Sequence, residues 1–475
     1  YTFTHNITGG TIRTSKGLNC GRTDFTPAGG TFEFYGSTDA SLNMVSGSQL
    51  RNVIIDKSSK GGSLSFTGDP VYDQRSGQLL SDGTRANNIS MNSNIDILGD
   101  LTITTGSLTL NGRELNIKQN CYVSGTLNMT NPSDVLTVGQ AFSNWLEFKS
   151  GSIANITAGT INIYGWIIPR SGSSFNILPG NTVVIKGDSG GGLSNFESSA
   201  TYGNVILQKN SGEWSYIDLS AIEPIVVNGS FTISPDNEFY MQNHNLTVNG
   251  AFTDASTSKI YMKNYSKKAL AGSYSTGEQS TNTATRGGLL TINSDYTIQG
   301  LLDIADGNAV LTQGFGINST GVLKINGGSF INNRADINTW TDIKGSLQLV
   351  DGLFELTNNH PYFNSGSSSV ISGGAIRTGG AFRAVDPNVF KPTGGVVEIT
   401  GNNNNGAIYC YNGNYFHNLV INRSSLYSAF MNGEPVTINN DFTVNKGRLN
   451  TSSSLVTVSG NVAINNSGHL SVDDG

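Results

Sequence analysis

Charge is scarce in this sequence. Only 13% of the 475 residues are Asp, Glu, Lys or Arg, about half the usual share. The 34 acidic and 28 basic residues leave a net charge of −6, and no block of Lys or Arg occurs. Nucleic acids and anionic membrane surfaces are held by clustered positive charge, so neither is an expected partner. Cysteine is nearly absent. Cys20, Cys121 and Cys410 are too few for a disulfide scaffold, share no metal-ligand spacing and, being odd in number, cannot all pair within one chain. They are expected to be free and packed among apolar side chains. No apolar run approaches the roughly 18 residues needed to cross a bilayer, and no positively charged leader precedes an apolar stretch. Tyr1 to Gly10 already read as strand and turn, and Ser471 to Gly475 stop inside a pattern. Both ends are therefore expected to continue into a longer chain, or to be covered by another copy packed end to end.

What the sequence has is glycine, 59 residues of it against a typical ~7%, with abundant Asn, Ser and Thr. Disordered chains share that bias but lack aliphatics, whereas 36% of this chain is hydrophobic and the apolar residues recur at short intervals. In Leu101-Thr102-Ile103, Leu108-Thr109-Leu110 and Leu115-Asn116-Ile117, apolar-polar-apolar triplets start seven residues apart, punctuated by Gly106, Gly112 and Gly125. Alternation of this kind makes a strand with one buried face. The Gly and Asn between triplets reject a coiled coil, and an immunoglobulin-like array would space its turns every 8–12 residues. Three short faces of a triangular coil fit better: an all-β, right-handed parallel β-helix of roughly 21 residues per coil, or about 22 coils for the whole chain. Leu108, Leu115 and Ile117 are expected in its core, and stacked Asn side chains can form ladders.

A longer repetition overlies the short one. Phe25-Thr26-Pro27-Ala28-Gly29-Gly30-Thr31-Phe32-Glu33 matches Phe390-Lys391-Pro392-Thr393-Gly394-Gly395-Val396-Val397-Glu398, and upstream Gly9 to Thr14 matches Gly373 to Thr378, each with an Arg (Arg13, Arg377). An octad follows in three copies, beginning Asn52-Val53-Ile54-Ile55, Asn204-Val205-Ile206-Leu207 and Asn418-Leu419-Val420-Ile421 and carrying Lys57, Lys209 or Arg423. Thr-centred strands come next: Leu101-Thr102-Ile103, Phe231-Thr232-Ile233, Tyr296-Thr297-Ile298 and Phe442-Thr443-Val444. About three related modules result, approximately 1–150, 151–365 and 366–475, the last truncated, with no Pro/Ser linker between them. They are read as one continuous solenoid whose longest loops are Ser266 to Gly288 and Asp69 to Asn94.

The octad with its Lys/Arg-Ser, the Thr-centred strands and steps such as Ser124-Gly125-Thr126-Leu127 resemble the repetitive β-helical surface proteins of gliding and biofilm bacteria, often exported by the type IX pathway. The broader pattern is similar to filamentous-haemagglutinin-like adhesins. The resemblance implies a secreted, cell-surface or extracellular location and a structural or adhesive role.

Motifs for chemistry are few. His5, His244, His360, His417 and His469 show no metal spacing, and His417 reads as an exposed turn residue. Glu33 and Glu398 could belong to a carboxylate pair of the glycosidase kind, but alternation favours outward strand positions. Arg13, Arg377 and the Lys or Arg of the octads suggest the runner-up reading, a β-helical polysaccharide lyase or glycoside hydrolase. The simpler account has the octad's basic residue covering a corner with its methylene stem. Gly187-Asp188-Ser189-Gly190-Gly191 matches the GxSxG nucleophile motif, but no helix follows as that motif needs. No EF-hand or calcium-binding nonapeptide array occurs, so no cofactor is expected and calcium has no motif behind it. Tyr409, Tyr411 and Tyr415 are the candidate glycan-stacking residues, Tyr409 and Tyr411 on one face by alternation. The expectation is a structural and adhesive filament protein, not an enzyme, with glycans or other cell-surface molecules as partners.

Overall fold

The computed structural model describes residues 6–20, 24–36, 40–44, 48–56, 64–67, 88–91, 94–188, 190–193, 200–217, 224–241, 244–262, 288–336, 339–402, 406–424 and 428–472. No helix occurs among them. They fall into two compact units, Tyr1–Phe231 and Thr232–Gly475. Each is a parallel β-solenoid, and together they hold about 17 turns. That is fewer than a uniform 21-residue period implies, because some coils carry long excursions. The bonded neighbours Asn52 and Asp100 are 48 residues apart, and Asn245 and Leu289 are 44 apart, against 20 for Asp100 and Asn120. Most of the expected loops Asp69 to Asn94 and Ser266 to Gly288 lies outside the described residues. Within the first, however, Asn88–Met91 is a strand, stacked on Leu64–Thr67.

The seven-residue triplets of the first unit are the three sides of one coil. Leu101–Thr105, Ser107–Thr109 and Glu114–Ile117 follow one another around it. Cys121–Val123, Thr126–Met129 and Val135–Val138 form the next coil. Pairing is parallel and residue for residue: Leu101 on Cys121, Leu108 on Leu127, Leu115 on Leu136. The register places apolar side chains over apolar ones at the strand spacing of about 4.8 Å. Leu108, Leu115 and Ile117 are buried. All three cysteines are free and buried, and Cys20 stacks on Met44.

The second unit repeats the scheme with longer strands that turn corners. Val322–Asn332 presents Leu323 and Ile325 to the core, bends at Asn326-Gly327-Gly328, then presents Phe330 and Asn332. Gly327 takes φ = 124° at the bend, a conformation that strongly favours glycine. The strand pairs along both its sides with Ser346–Leu356. Rings of Phe363, Phe382, Phe390 and Phe416 pack from coil to coil with centroids 4.8–5.9 Å apart, so the Phe that opens the second copy of the Phe-x-Pro-x-Gly-Gly repeat is a core residue, whereas Phe25 of the first copy is half-buried.

The repeated motifs are corner chemistry. In Gly29-Gly30 and Gly394-Gly395 the first glycine lies so close to the coil below that a Cβ would meet the carbonyl oxygen of Thr8 or Ser372. The second takes φ of 88° or 74°. The octad's leading asparagine clamps the next corner in all three copies. Asn418 Nδ2 donates to the Gly395 carbonyl at 2.8 Å, and its Oδ1 accepts from the Asp441 amide at 3.1 Å. Asn52 bridges Gly30 and the Asp100 amide likewise, and Asn204 bridges Asn181 and the Ser230 amide. Asparagine suits the post because its side chain both donates and accepts. Side-chain ladders run along the faces too: Asn128 donates to Thr109, and Asn155 donates to Asn128.

Two substitutions test the register and the clamp. Leu108→Asp places an unpaired carboxylate in the core and is expected to cost several kcal/mol, read as an early melting transition. Asn418→Ala leaves a half-buried amide and carbonyl without partners. It is expected to cost about 1–3 kcal/mol in denaturant titration, whereas Asn422→Ala, at an exposed outward position, should stay within about 0.5 kcal/mol.

Candidate functional site

The charged residues singled out by the repeats lie on outward strand positions and meet one another. Arg13 stacks in register on Glu33, and its Nη2 lies 2.8 Å from Glu33 Oε1. In the second unit Glu355, Arg377 and Glu398 occupy one column on successive coils. The Arg377 guanidinium reaches both carboxylates, at 3.1 Å and 2.8 Å, and Asn422 donates to Glu398 from the coil above at 2.6 Å. Hydrogen bonding to Glu33 raises the pKa of Arg13, and hydrogen bonding to Glu398 raises that of Arg377. The Arg of one motif and the Glu of the other, distinct in sequence, are neighbouring rungs of a single ladder.

The basic residues of the octads behave differently from the surface cover expected of them. Lys209 and Arg423 are buried along their whole length. Lys209 Nζ donates to the Lys186 carbonyl at 2.8 Å, and Arg423 Nη1 donates to the Thr400 carbonyl at 3.0 Å; each bond spans 23 residues to the coil below. Burial lowers the Lys209 ammonium to about 8, against Asp188 and Glu213, which pull it up. Burial lowers Arg423 to about 10. Both long side chains fill a corner and satisfy a main-chain carbonyl there. Lys57 lies outside the described residues.

The GxSxG match sits in a turn between the strands Asn181–Gly187 and Gly192–Leu193. Gly187, Gly190 and Gly191 all have positive φ. No helix follows among the described residues, and Ser189 lies outside them, as does His5. His417 and His244 are half-buried and His469 is exposed. No group of three or more potential metal ligands occurs among the described residues.

His360 is the histidine that sequence reasoning passed over. It is fully buried in the strand His360–Phe363, where its Nδ1 accepts the Ala381 amide at 2.8 Å. Burial pushes its pKa down to about 4; Arg423 adds to the drop, and a backbone hydrogen bond at Asn359 opposes it.

His360 also borders an outward cluster in the second unit that pairs aromatic rings with a cation. Tyr362, Arg383 and Tyr409 stand in register on three successive coils. The Arg383 guanidinium carbon lies 4.5 Å from the Tyr362 ring centroid and 5.9 Å from that of Tyr409. Trp340, paired in register with His360, contacts the rings of His360, Tyr362 and Tyr409 edge-on at 5.1, 6.0 and 6.4 Å. His360 and Tyr362 share one strand, and Tyr362, Arg383 and Tyr409 belong to three successive coils, so the indole, in contact with all of them, reaches along the column. It lies 5.7 Å from the Arg383 guanidinium and remains 38% exposed.

Of the three candidate tyrosines, only Tyr409 belongs to this cluster. The strand Ala407–Cys410 ends before Tyr411, which opens a tight turn through Asn412 (φ 59°) and Gly413 (φ 80°). Alternation therefore stops at Cys410, whose side chain is in the core. Tyr415 is tied by its backbone to Phe390; it and Tyr411 are half-buried. Trp340, Tyr362 and Arg383 are separated in sequence by whole coils, and only the coil register brings them together. Compared with protein-family models, curated proteins and solved structures, the chain matches none.

The buried imidazole generates a pH dependence. His360 is neutral when folded and titrates near its ordinary 6.5 when unfolded, so the unfolded state binds the extra proton as pH falls. Its contribution is intact above about 6.5 and is lost toward about 4, a change of about 3 kcal/mol at most. Denaturant midpoints measured from pH 7 to pH 4 should fall more steeply for the wild type than for His360→Gln.

Proposed function

We propose that this chain is a structural and adhesive segment of an extracellular, cell-surface filament protein and does not act as an enzyme. The observation that carries this reading is the Arg–Glu ladder. The residues a polysaccharide-degrading β-helix would need, a basic side chain beside carboxylates, are present in the repeats, but they neutralise one another between coils (Arg13 with Glu33; Arg377 with Glu355 and Glu398). A guanidinium held by two carboxylates is a poor proton acceptor and has no free lone pair to offer. The octads' Lys209 and Arg423 are buried on main-chain carbonyls, away from any solvent-filled groove. The repeated chemistry thus supports the scaffold, and the variable outward positions are left to meet a partner. The resemblance to repetitive bacterial surface proteins agrees with this, as does the low charge.

The test is catalytic and mechanical. The whole chain, incubated with uronic-acid and neutral polysaccharides with and without calcium, is expected to release neither unsaturated sugars nor new reducing ends. Beads coated with it are expected to hold to glycan-coated surfaces under flow. Product release would replace this reading with that of a β-helical polysaccharide lyase or hydrolase.

A further inference from the structure

We infer that Trp340, Tyr362, Arg383 and Tyr409 form a binding site for an anionic polysaccharide, the indole stacking on a sugar ring and the Arg383 guanidinium taking a carboxylate or sulfate. This deepens the adhesive reading above and rests on it.

On the outward rungs of this solenoid Arg13 and Arg377 are each met by an acid from the neighbouring coil, whereas Arg448 stands in register between Ser428 and His469. Arg383 has the same kind of rung position, but its neighbours in the column are Tyr362 below and Tyr409 above. No carboxylate pairs with it among the described residues. The two phenol rings flank the guanidinium, an arrangement that stabilises the cation through their π-faces while leaving its in-plane N–H groups unspent. Its Nε is buried without a hydrogen-bond partner, and the residue as a whole is half-buried. Asp342 lies one coil below Tyr362, two from Arg383, and is engaged by Lys344 at 3.5 Å and Asn364 at 3.1 Å.

The rings are also disposed differently from a purely structural stack. Tyr240 and Tyr261 lie parallel, 12° apart with centroids at 4.7 Å, so each covers a face of the other. Trp340 instead stands at 63–68° to the rings of Tyr362 and Tyr409 and is substantially exposed. A flat apolar surface beside an unneutralised, planar donor is the chemistry that recognises a pyranose bearing an anionic group: the ring stacks and the anion accepts paired N–H bonds. With the whole chain at −6, the attraction is local to this cluster.

The experiment measures binding of the whole chain, by calorimetry, to three oligosaccharides of equal length: one of uronic acids, one sulfated and neutral otherwise, and one uncharged. At least one charged oligosaccharide is expected to bind ten-fold or more tightly than the uncharged one, less so as salt rises, and the tighter of the two identifies the anionic group. Arg383→Gln is expected to abolish the preference for charge while keeping residual binding. Trp340→Ala should lose binding to all three, and Trp340→Phe should retain part of it should the alanine variant melt early. Equal binding of charged and uncharged sugars, an unchanged preference in Arg383→Gln, or no binding by the wild type would overturn the inference. Cleavage of the bound sugar would overturn only the non-catalytic reading, because the charge preference is read from binding.

Discussion

A coil of about 21 residues carries three strands of three to six residues and cannot bury its own apolar side chains. The inward residues of one coil are covered by the inward residues of the coils above and below it, Leu108 by Leu127, Leu115 by Leu136, Leu419 by Phe442. The parallel stacking register is therefore the constraint on which everything else depends. A slip of one residue along a strand would turn a whole face outward. In return, stacking closes an apolar core within each unit from a sequence with little charge, no helix among its described residues and no disulfide. Stability in such a structure is close to a sum of neighbour interfaces.

Corners are where the stack is hardest to make, because the backbone there leaves the ladder and still has to satisfy its polar groups. The repeats answer this need. A Gly-Gly step permits both a close approach to the coil beneath and a left-handed φ. An asparagine bridges the coil below to the coil above, and a buried Lys or Arg reaches a carbonyl at the far corner of the octad. These features recur along the chain because their geometry recurs. The Arg–Glu ladder extends the same logic to the surface, where charge is neutralised between rungs.

Against that background the outward positions free of corner and ladder duties carry the functional reading. In the column Tyr362, Arg383 and Tyr409 an arginine is flanked by rings instead of acids, with an exposed tryptophan laid across it. Regular rung spacing makes such a column a ruler of side chains along the solenoid axis, suited to an extended polymer. The same scaffold would serve a degrading enzyme if its acids and bases were left unpaired; here Arg13 is paired with Glu33, and Arg377 with Glu355 and Glu398.

Much of this was legible in the sequence. The seven-residue triplets determine the three-sided coil, since alternation and spacing are local properties of the chain, and they place Leu108, Leu115 and Ile117 inside. The free, buried state of Cys20, Cys121 and Cys410 follows from their number and their apolar surroundings. The coil count did not follow, because excursions such as that between Asn52 and Asp100 carry no periodic signal of their length. Nor could local pattern show that Arg13 meets Glu33, that Lys209 and Arg423 are buried to the tip, or that His360 lies in the core. Tyr411 seemed to share a face with Tyr409 because alternation assumes that a strand continues, and the Asn412-Gly413 turn ends it. Trp340, Tyr362, Arg383 and Tyr409 are far apart along the chain and alike in nothing that sequence repeats reveal. Each contact among them is a pairing of one coil with another, and a sequence read along the chain holds the strands but not the register that sets one coil upon the next.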